Sequence, residues 1–87
     1  MTDYKVSVAR SARKSLQAID RQVSRRIVAR LESLAVNPRP PGCARLEGGS
    51  RLWRIRIGDY RVVYEIDDAA RTVDVSIVRH RRDVYRL

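Results

Sequence analysis

Arginines at alternate positions of two adjoining segments are the residues of this sequence best suited to chemistry. Arg54 and Arg56 precede the pair Gly58-Asp59, and Arg61 follows it. A Gly-Asp pair between segments rich in β-branched and aromatic residues indicates a two-residue hairpin turn. That turn fixes the register, so Arg56 should stand directly opposite Arg61, with Arg54 on the same face. Opposed like charges cost stability, which indicates that an anion such as a phosphate lies between them.

The opposite face of this hairpin is apolar and should cover a core. The predicted pairs on that face are Ile57 with Tyr60, Ile55 with Val62, and Trp53 with Tyr64. Aromatic and aliphatic pairs of this kind stabilise a half-buried sheet.

A third strand, from Thr72 to about His80, should extend both faces. Strict alternation places Val73, Val75 and Ile77 on the core face, and Ser76, Val78 and His80 on the arginine face, with His80 near Arg61. It also places Arg79 and Arg81 on the core side, unless a bulge near the end of the strand turns either of them outward.

Two structural interpretations compete with an anion site. Arginines on an exposed sheet face can serve only to keep it soluble, or can pair with Glu65 and Asp74. A single histidine such as His80 is more often a surface or capping residue than a catalyst.

Composition limits the class of protein. Eighty-seven residues suffice for one domain, here 1–87. The net charge of +9 predicts a polyanionic partner, and 17 of the 19 cationic residues are arginine, a bias that a GC-rich genome would also produce.

One cysteine and one histidine allow no intrachain disulfide and no ordinary four-ligand zinc site, so we expect no metal and no cofactor. Neither a signal peptide nor a membrane-spanning segment is evident, which predicts a cytoplasmic protein without a membrane partner.

The remaining segments predict helices packed on the sheet. A short strand at 4–8 precedes a helix from Ala9 to Ile19, and Asp20 can cap a second helix that ends at Asn37-Pro38. Its apolar stripe comprises Val23, Ile27, Leu31 and Leu34. Residues 38–50 form an irregular connection anchored by Leu46, and the last residues, from Arg81, form a short helical turn. The order β-α-α-β-β-β gives an α+β fold in which a helical hairpin packs on a small antiparallel sheet.

Several motifs resemble those of the RelE/ParE superfamily of bacterial toxins. They are RIRIGDYRVVYEI at 54–66, VRHRRDVY at 78–85, RLEG at 45–48 and the Asn-Pro stop after the second helix. The resemblance runs from end to end and favours the RelE-like branch. It implies a ribosome-dependent mRNA endoribonuclease, or mRNA interferase, which cleaves mRNA in the ribosomal A site without a metal, inhibits translation and arrests growth.

The resemblance also assigns roles to individual residues. Arg54 and Arg56 match basic strand residues that grip the RNA, and Arg51 and Arg82 are expected as further RNA contacts. The catalytic set that it implies is Arg61 on the phosphate, Arg81 on the transition state or leaving group, Tyr85 on a base or the 2′-hydroxyl, and His80. Arginine replaces the lysine that some relatives have in the first hairpin strand. Because arginine stays protonated at neutral pH, the general base is left open between Tyr85, His80 and the substrate's own environment.

Partners and alternatives also follow from the resemblance. A cognate antitoxin with an acidic, amphipathic segment should neutralise the basic surface, and a heterotetramer is the assembly expected for the two proteins. A ParE-like inhibitor of DNA gyrase, or an inactive member that serves as partner to a DNA-binding antitoxin, would have the same fold.

Overall fold

The computed structural model describes residues 3–46 and 51–84, with side chains described up to residue 82. Its elements are β1 (Lys5–Val8), α1 (Arg10–Ala18), α2 (Arg21–Ser33), β2 (Ala44–Arg45), β3 (Leu52–Ile57), β4 (Tyr60–Asp67), β5 (Thr72–His80) and α3 (Arg81–Val84). The expected α+β order is confirmed, and β2 is an additional short strand within the connection that the sequence indicated to be irregular.

The five strands form one mixed sheet in the order β1-β5-β4-β3-β2. Strands β3, β4 and β5 pair antiparallel, as predicted. The additional strand β2 pairs antiparallel with β3, whereas β1 runs parallel to β5. The sheet is therefore not purely antiparallel. The chain leaves β1 directly into α1, and the Ala9 N–H donates to the carbonyl of Val75 at this junction.

The helical hairpin covers one face of the sheet. The Asp20 carboxylate accepts a hydrogen bond from the Gln22 N–H at 3.3 Å and caps α2, as its residue type predicts. The stripe on α2 is confirmed, because Ile27, Leu31 and Leu34 are buried and Val23 packs against them. No helix in the described ranges is long and apolar enough to cross a membrane.

The core lies between this hairpin and the apolar face of the sheet. Ile55, Ile57, Val62 and Tyr64 are buried there, and Trp53 is partly buried against them. The Tyr64 hydroxyl, although fully enclosed, donates to the carbonyl of Pro38 at 2.9 Å. Burial is the main cause that raises the pKa of this phenol far above its ordinary value.

The turn between β3 and β4 sets the register of the central strands. Gly58 has φ +61° and Asp59 does not have positive φ, which is the pattern of a type II′ hairpin. Arg56 is paired with Arg61 and Arg54 with Val63. The register predicted from Gly58-Asp59 is thus confirmed.

Candidate nucleic-acid interface

A bulge in β5 changes the expected arrangement of the third strand. Tyr64 of β4 pairs with Val75, but the preceding residue, Val63, pairs with Ile77, so Ser76 has no partner residue. The extra residue shifts the alternation of the strand beyond it by one position. The Ser76 hydroxyl donates to the Val63 carbonyl at 3.2 Å, which ties the bulge to β4.

This shift corrects four placements made from strict alternation. Val78, expected beside the arginines, is 2% exposed and belongs to the core. Ile77, expected in the core, lies on the open face and is 36% exposed. Arg79 pairs with Arg61, and His80 pairs with Tyr60 instead of lying on the arginine face.

Three arginines consequently stand in one line across the open face, which we call the arginine row: Arg56, Arg61 and Arg79. They occupy directly opposed positions on three neighbouring strands. Strand spacing of about 4.8 Å makes the row about 10 Å wide at the backbone. Arg56 is exposed, whereas Arg61 and Arg79 are half-buried.

The rest of the open face is arranged in parallel rows of different character. Arg54, Val63 and Ile77 form the next row, and Val63 is 8% exposed although it lies outside the main core. Glu65 and Asp74 are opposed in the row beyond, where the Ser7 hydroxyl donates to Asp74. Basic and acidic side chains are therefore separated along the strands instead of paired across them.

Among the described side chains, no carboxylate forms an ion pair with the arginine row. Within residues 3–46 and 51–82, the ion pairs are Arg39 with Asp68 and Arg51 with Asp67. The structure thus contradicts the interpretation that Glu65 and Asp74 balance the arginines. Opposed guanidinium groups without counterions destabilise the sheet, and an anionic ligand would remove that cost.

Helix α3 starts at the same end of the sheet as the hairpin turn. The Arg81 N–H donates to the Asp59 carbonyl at 2.8 Å, and the Arg81 side chain is exposed there. The His80 Nδ1 accepts the Arg82 N–H at 3.2 Å, which makes His80 the cap of α3. Its ring also meets Tyr60 edge to face, with ring centroids 5.1 Å apart. His80 therefore holds the backbone that carries Arg81.

Another predicted site residue, Arg51, lies away from the arginine row. Arg51 lies about 17 Å along the strand direction from Arg56, given about 3.4 Å per residue, and its guanidinium is 3.5 Å from Asp67. The structure does not bring it to the arginine row. Tyr85 lies outside the described residues.

A second cluster of charges at the end of the sheet that holds Arg51 shows what neutralised arginines look like in this fold. Arg39 donates twice to Asp68, at 2.8 and 3.2 Å, and Tyr4 donates to the same carboxylate at 2.6 Å. These hydrogen bonds lower the pKa of Asp68 to about 2. The guanidinium of Arg39 also lies 5.0 Å from the centre of the Trp53 ring. This cluster fixes the loops around Trp53, whereas the part of the chain that the structure describes gives the arginine row no carboxylate partner of this kind.

The row can bind phosphate oxygens and stabilise charge that develops on phosphorus, but it cannot abstract a proton. Arg79 is the member of the row that alternation misplaced. The adjacent apolar residues Ile77 and Val78 were compatible with a change of phase, but they do not specify one, since Val62 and Val63 are adjacent in β4 without a bulge in that strand.

Comparisons with known proteins agree with this fold. Residues 6–85 match the family model described as the ParE toxin of the type II toxin-antitoxin system parDE. The chain is similar to a solved archaeal RelE–RelB complex from Pyrococcus horikoshii, with 30% identity over 93% of this chain and 97% of that chain, and a TM-score of 0.82. It is similar to the RelBE2 toxin–antitoxin complex of Mycobacterium tuberculosis, with 26% identity over 90% and 98% of the two chains and a TM-score of 0.79. A YoeB/ParE toxin from Agrobacterium tumefaciens shares the fold at 19% identity over 87% and 96%, with a TM-score of 0.73. No curated protein sequence matches the chain.

Proposed function

Since this chain belongs to the ParE toxin family of type II toxin–antitoxin systems and its arginine row has no ion pair among the described side chains, we propose that its toxic activity is cleavage of mRNA in the ribosomal A site. The observation that carries the proposal is the row itself, with Arg81 at the same end of the sheet. A single-stranded phosphate chain laid across β3, β4 and β5 would neutralise the opposed charges. Cleavage of mRNA would inhibit translation in the cytoplasm, where ribosomes work.

The reaction is an in-line displacement at phosphorus. The 2′-oxygen of one nucleotide loses its proton to a base and attacks the adjacent phosphorus. The bond from phosphorus to the 5′-oxygen of the next nucleotide breaks, and that oxygen takes up a proton. The products are a 2′,3′-cyclic phosphate and a 5′-hydroxyl. Arg61, at the centre of the row, binds the non-bridging oxygens, and Arg81 stabilises the charge on the leaving oxygen.

The base is not one of the arginines, because a guanidinium remains protonated at neutral pH. His80 acts as a positioning residue for Arg81, since its Nδ1 accepts the Arg82 N–H and its ring contacts Tyr60. Proton abstraction then falls to Tyr85 or to a group of the ribosome–mRNA complex. Arg54 and Arg82 add RNA contacts on either side of the row, and no step requires a metal ion.

A cognate antitoxin is the protein partner that we propose for this chain. Similar toxins from Pyrococcus horikoshii and Mycobacterium tuberculosis were solved as complexes with their antitoxins. An acidic, amphipathic antitoxin segment would balance the +9 charge and cover the open face of the sheet, in an assembly of two toxins and two antitoxins.

Induction of the chain without its antitoxin tests the activity. Mapping the 5′ ends of cellular mRNA, with and without active translation, should reveal translation-dependent cuts at A-site codons. Arg61→Ala and Arg81→Ala should each reduce cleavage about 100- to 1000-fold, the usual cost of losing a group that stabilises transition-state charge. Arg26→Ala, on the exposed surface of α2, is the matched control and should remain toxic. Undiminished cleavage by both Arg61→Ala and Arg81→Ala would overturn the proposed mechanism.

Inhibition of DNA gyrase is the second candidate, because the matching family model is the ParE model. It would require a protein–protein interface and no chemistry by the arginine row. Trapped gyrase–DNA complexes without mRNA cuts would establish it. Absence of growth arrest on induction would indicate instead an inactive partner of a DNA-binding antitoxin.

A further inference from the structure

The bulge in β5 has a consequence for the number of RNA phosphates that the open face can bind. With regular pairing beyond Val75, Val78 would stand opposite Arg61 and Arg79 opposite Tyr60 on the core side. The unpaired Ser76 reverses these positions and brings Arg79 to Arg61. One inserted residue therefore turns a two-arginine pair into a row of three.

The bulge is held on both sides, so Arg79 is placed by fixed contacts. The Ser76 hydroxyl donates to Val63 on β4, and the Ser11 hydroxyl of α1 donates to the Ser76 carbonyl at 3.4 Å. Beyond the bulge, Val78 is 2% exposed in the core. Burial of Val78 fixes the orientation of the next residue, because neighbouring side chains of a strand point to opposite faces.

Arg79 is charged, half-buried and without an ion pair inside the described ranges. Its neighbour across the strand is Arg61, another cation, so a purely structural arginine would be unfavourable at this position. On its own strand the next open-face residue is the apolar Ile77. The environment of Arg79 thus provides a site for an anion from outside the chain.

From these contacts we propose that Arg79 binds a second RNA phosphate, next to the one bound by Arg61. A row about 10 Å wide at the backbone is too wide for one phosphate group, but two successive phosphates can lie along it. This inference rests on the proposed function, and it assigns to Arg79 a substrate-binding role that neither the family resemblance nor strand alternation gave.

Salt dependence of RNA binding measures the number of phosphate contacts directly. Each contact to a single strand contributes about 0.7 to the slope of log affinity against log salt. The probe is a fluorescently labelled single-stranded RNA that carries 2′-O-methyl groups throughout, so that cleavage is blocked. Anisotropy titrations across a KCl series compare the parent chain with Arg79→Gln, Arg79→Lys, Arg61→Gln and the control Arg26→Gln.

We expect Arg79→Gln and Arg61→Gln each to reduce the slope by about 0.7, while Arg79→Lys and Arg26→Gln keep it. Retention by lysine separates a charge contact from a packing role, and thermal unfolding verifies that each variant is folded. If Arg61→Gln lowers the slope and Arg79→Gln does not, the inference about Arg79 fails and the proposed function stands. If neither lowers it more than Arg26→Gln, or no RNA is bound, the inference about Arg79 fails, and the mapping of 5′ ends in translating cells decides the proposed function separately. An unchanged slope combined with weaker rescue by the antitoxin would make Arg79 a protein-contact residue and overturn the inference.

Discussion

Replacement of the central arginine of the row should stabilise the protein while it abolishes toxicity. Arg61 is opposed by Arg56 on one side and by Arg79 on the other, whereas Arg79 is opposed only by Arg61. Arg61→Gln keeps most of the aliphatic stem and removes the charge. The variant therefore relieves two unfavourable pairs, and Arg79→Gln relieves one.

The magnitude follows from the geometry. For an assumed charge separation of about 7 Å, two unit charges repel by about 0.6 kcal/mol in bulk water and about 2.4 kcal/mol at an effective dielectric constant of about 20. Directly opposed like charges on strands cost roughly 0.2–1 kcal/mol each after screening. If each opposed pair costs about 0.5 kcal/mol, Arg61→Gln should raise the free energy of unfolding by about 1 kcal/mol and Arg79→Gln by about half of that. For a domain of this size, 1 kcal/mol raises Tm by roughly 4–8 °C.

Thermal and urea unfolding at two salt concentrations tests this estimate. The increase in stability of Arg61→Gln over the parent chain should be largest at low ionic strength. It should nearly vanish at 1 M salt, where the Debye length is only about 3 Å. Lys5→Gln serves as the control, since the residue opposite Lys5 on the neighbouring strand is the uncharged Thr72. A lower Tm for Arg61→Gln, or a gain that salt does not change, would refute the claim that the row is electrostatically unfavourable.

Two further predictions concern residues away from the row. Tyr64→Phe should lower the free energy of unfolding by about 1–2 kcal/mol in urea titrations, because the buried Pro38 carbonyl loses its hydrogen bond; an unchanged midpoint would contradict that bond. Asp68→Asn should destabilise the protein near neutral pH but not near pH 2, because the pKa of Asp68 is lowered to about 2 from 3.8. A lowered pKa contributes stability above the unfolded value, and that contribution is lost as pH falls from about 5 to about 2. Glu32→Gln, at an exposed site on α2, is the control, and a difference that persists at pH 2 would count against the assignment.

The hairpin could be derived from the sequence because its determinants are local. Gly58-Asp59 specifies a two-residue turn, and a two-residue turn leaves one register in which the apolar side chains share a face. The pairing of Arg56 with Arg61 followed directly. The apolar stripe on α2 and the Asp20 cap could also be predicted from the sequence, since both depend on residues within a few positions of one another.

Features that depend on contacts between distant parts of the chain could not be predicted from the sequence in the same way. The parallel pairing of β1 with β5 joins segments more than sixty residues apart, and no local motif encodes it. The bulge at Ser76 depends on its hydrogen bond to Val63 and on burial of Val78 beneath the helices. Strict alternation consequently assigned Arg79 and His80 to the wrong faces.

The corrected position of His80 changes how the site can work. A histidine beside Arg61 could have exchanged a proton with the substrate, but at the cap of α3 it fixes the backbone at Arg81. The arginines of the open face come from rigid strands, and Arg81 comes from a helix start tied to the hairpin turn at Asp59. The strands that carry the arginine row and the helix start that carries Arg81 therefore meet at one end of the sheet. In the reaction that we propose, such an arrangement would hold a phosphate chain in a fixed orientation, and orientation is what a displacement at phosphorus requires when the protein's cations cannot take the proton.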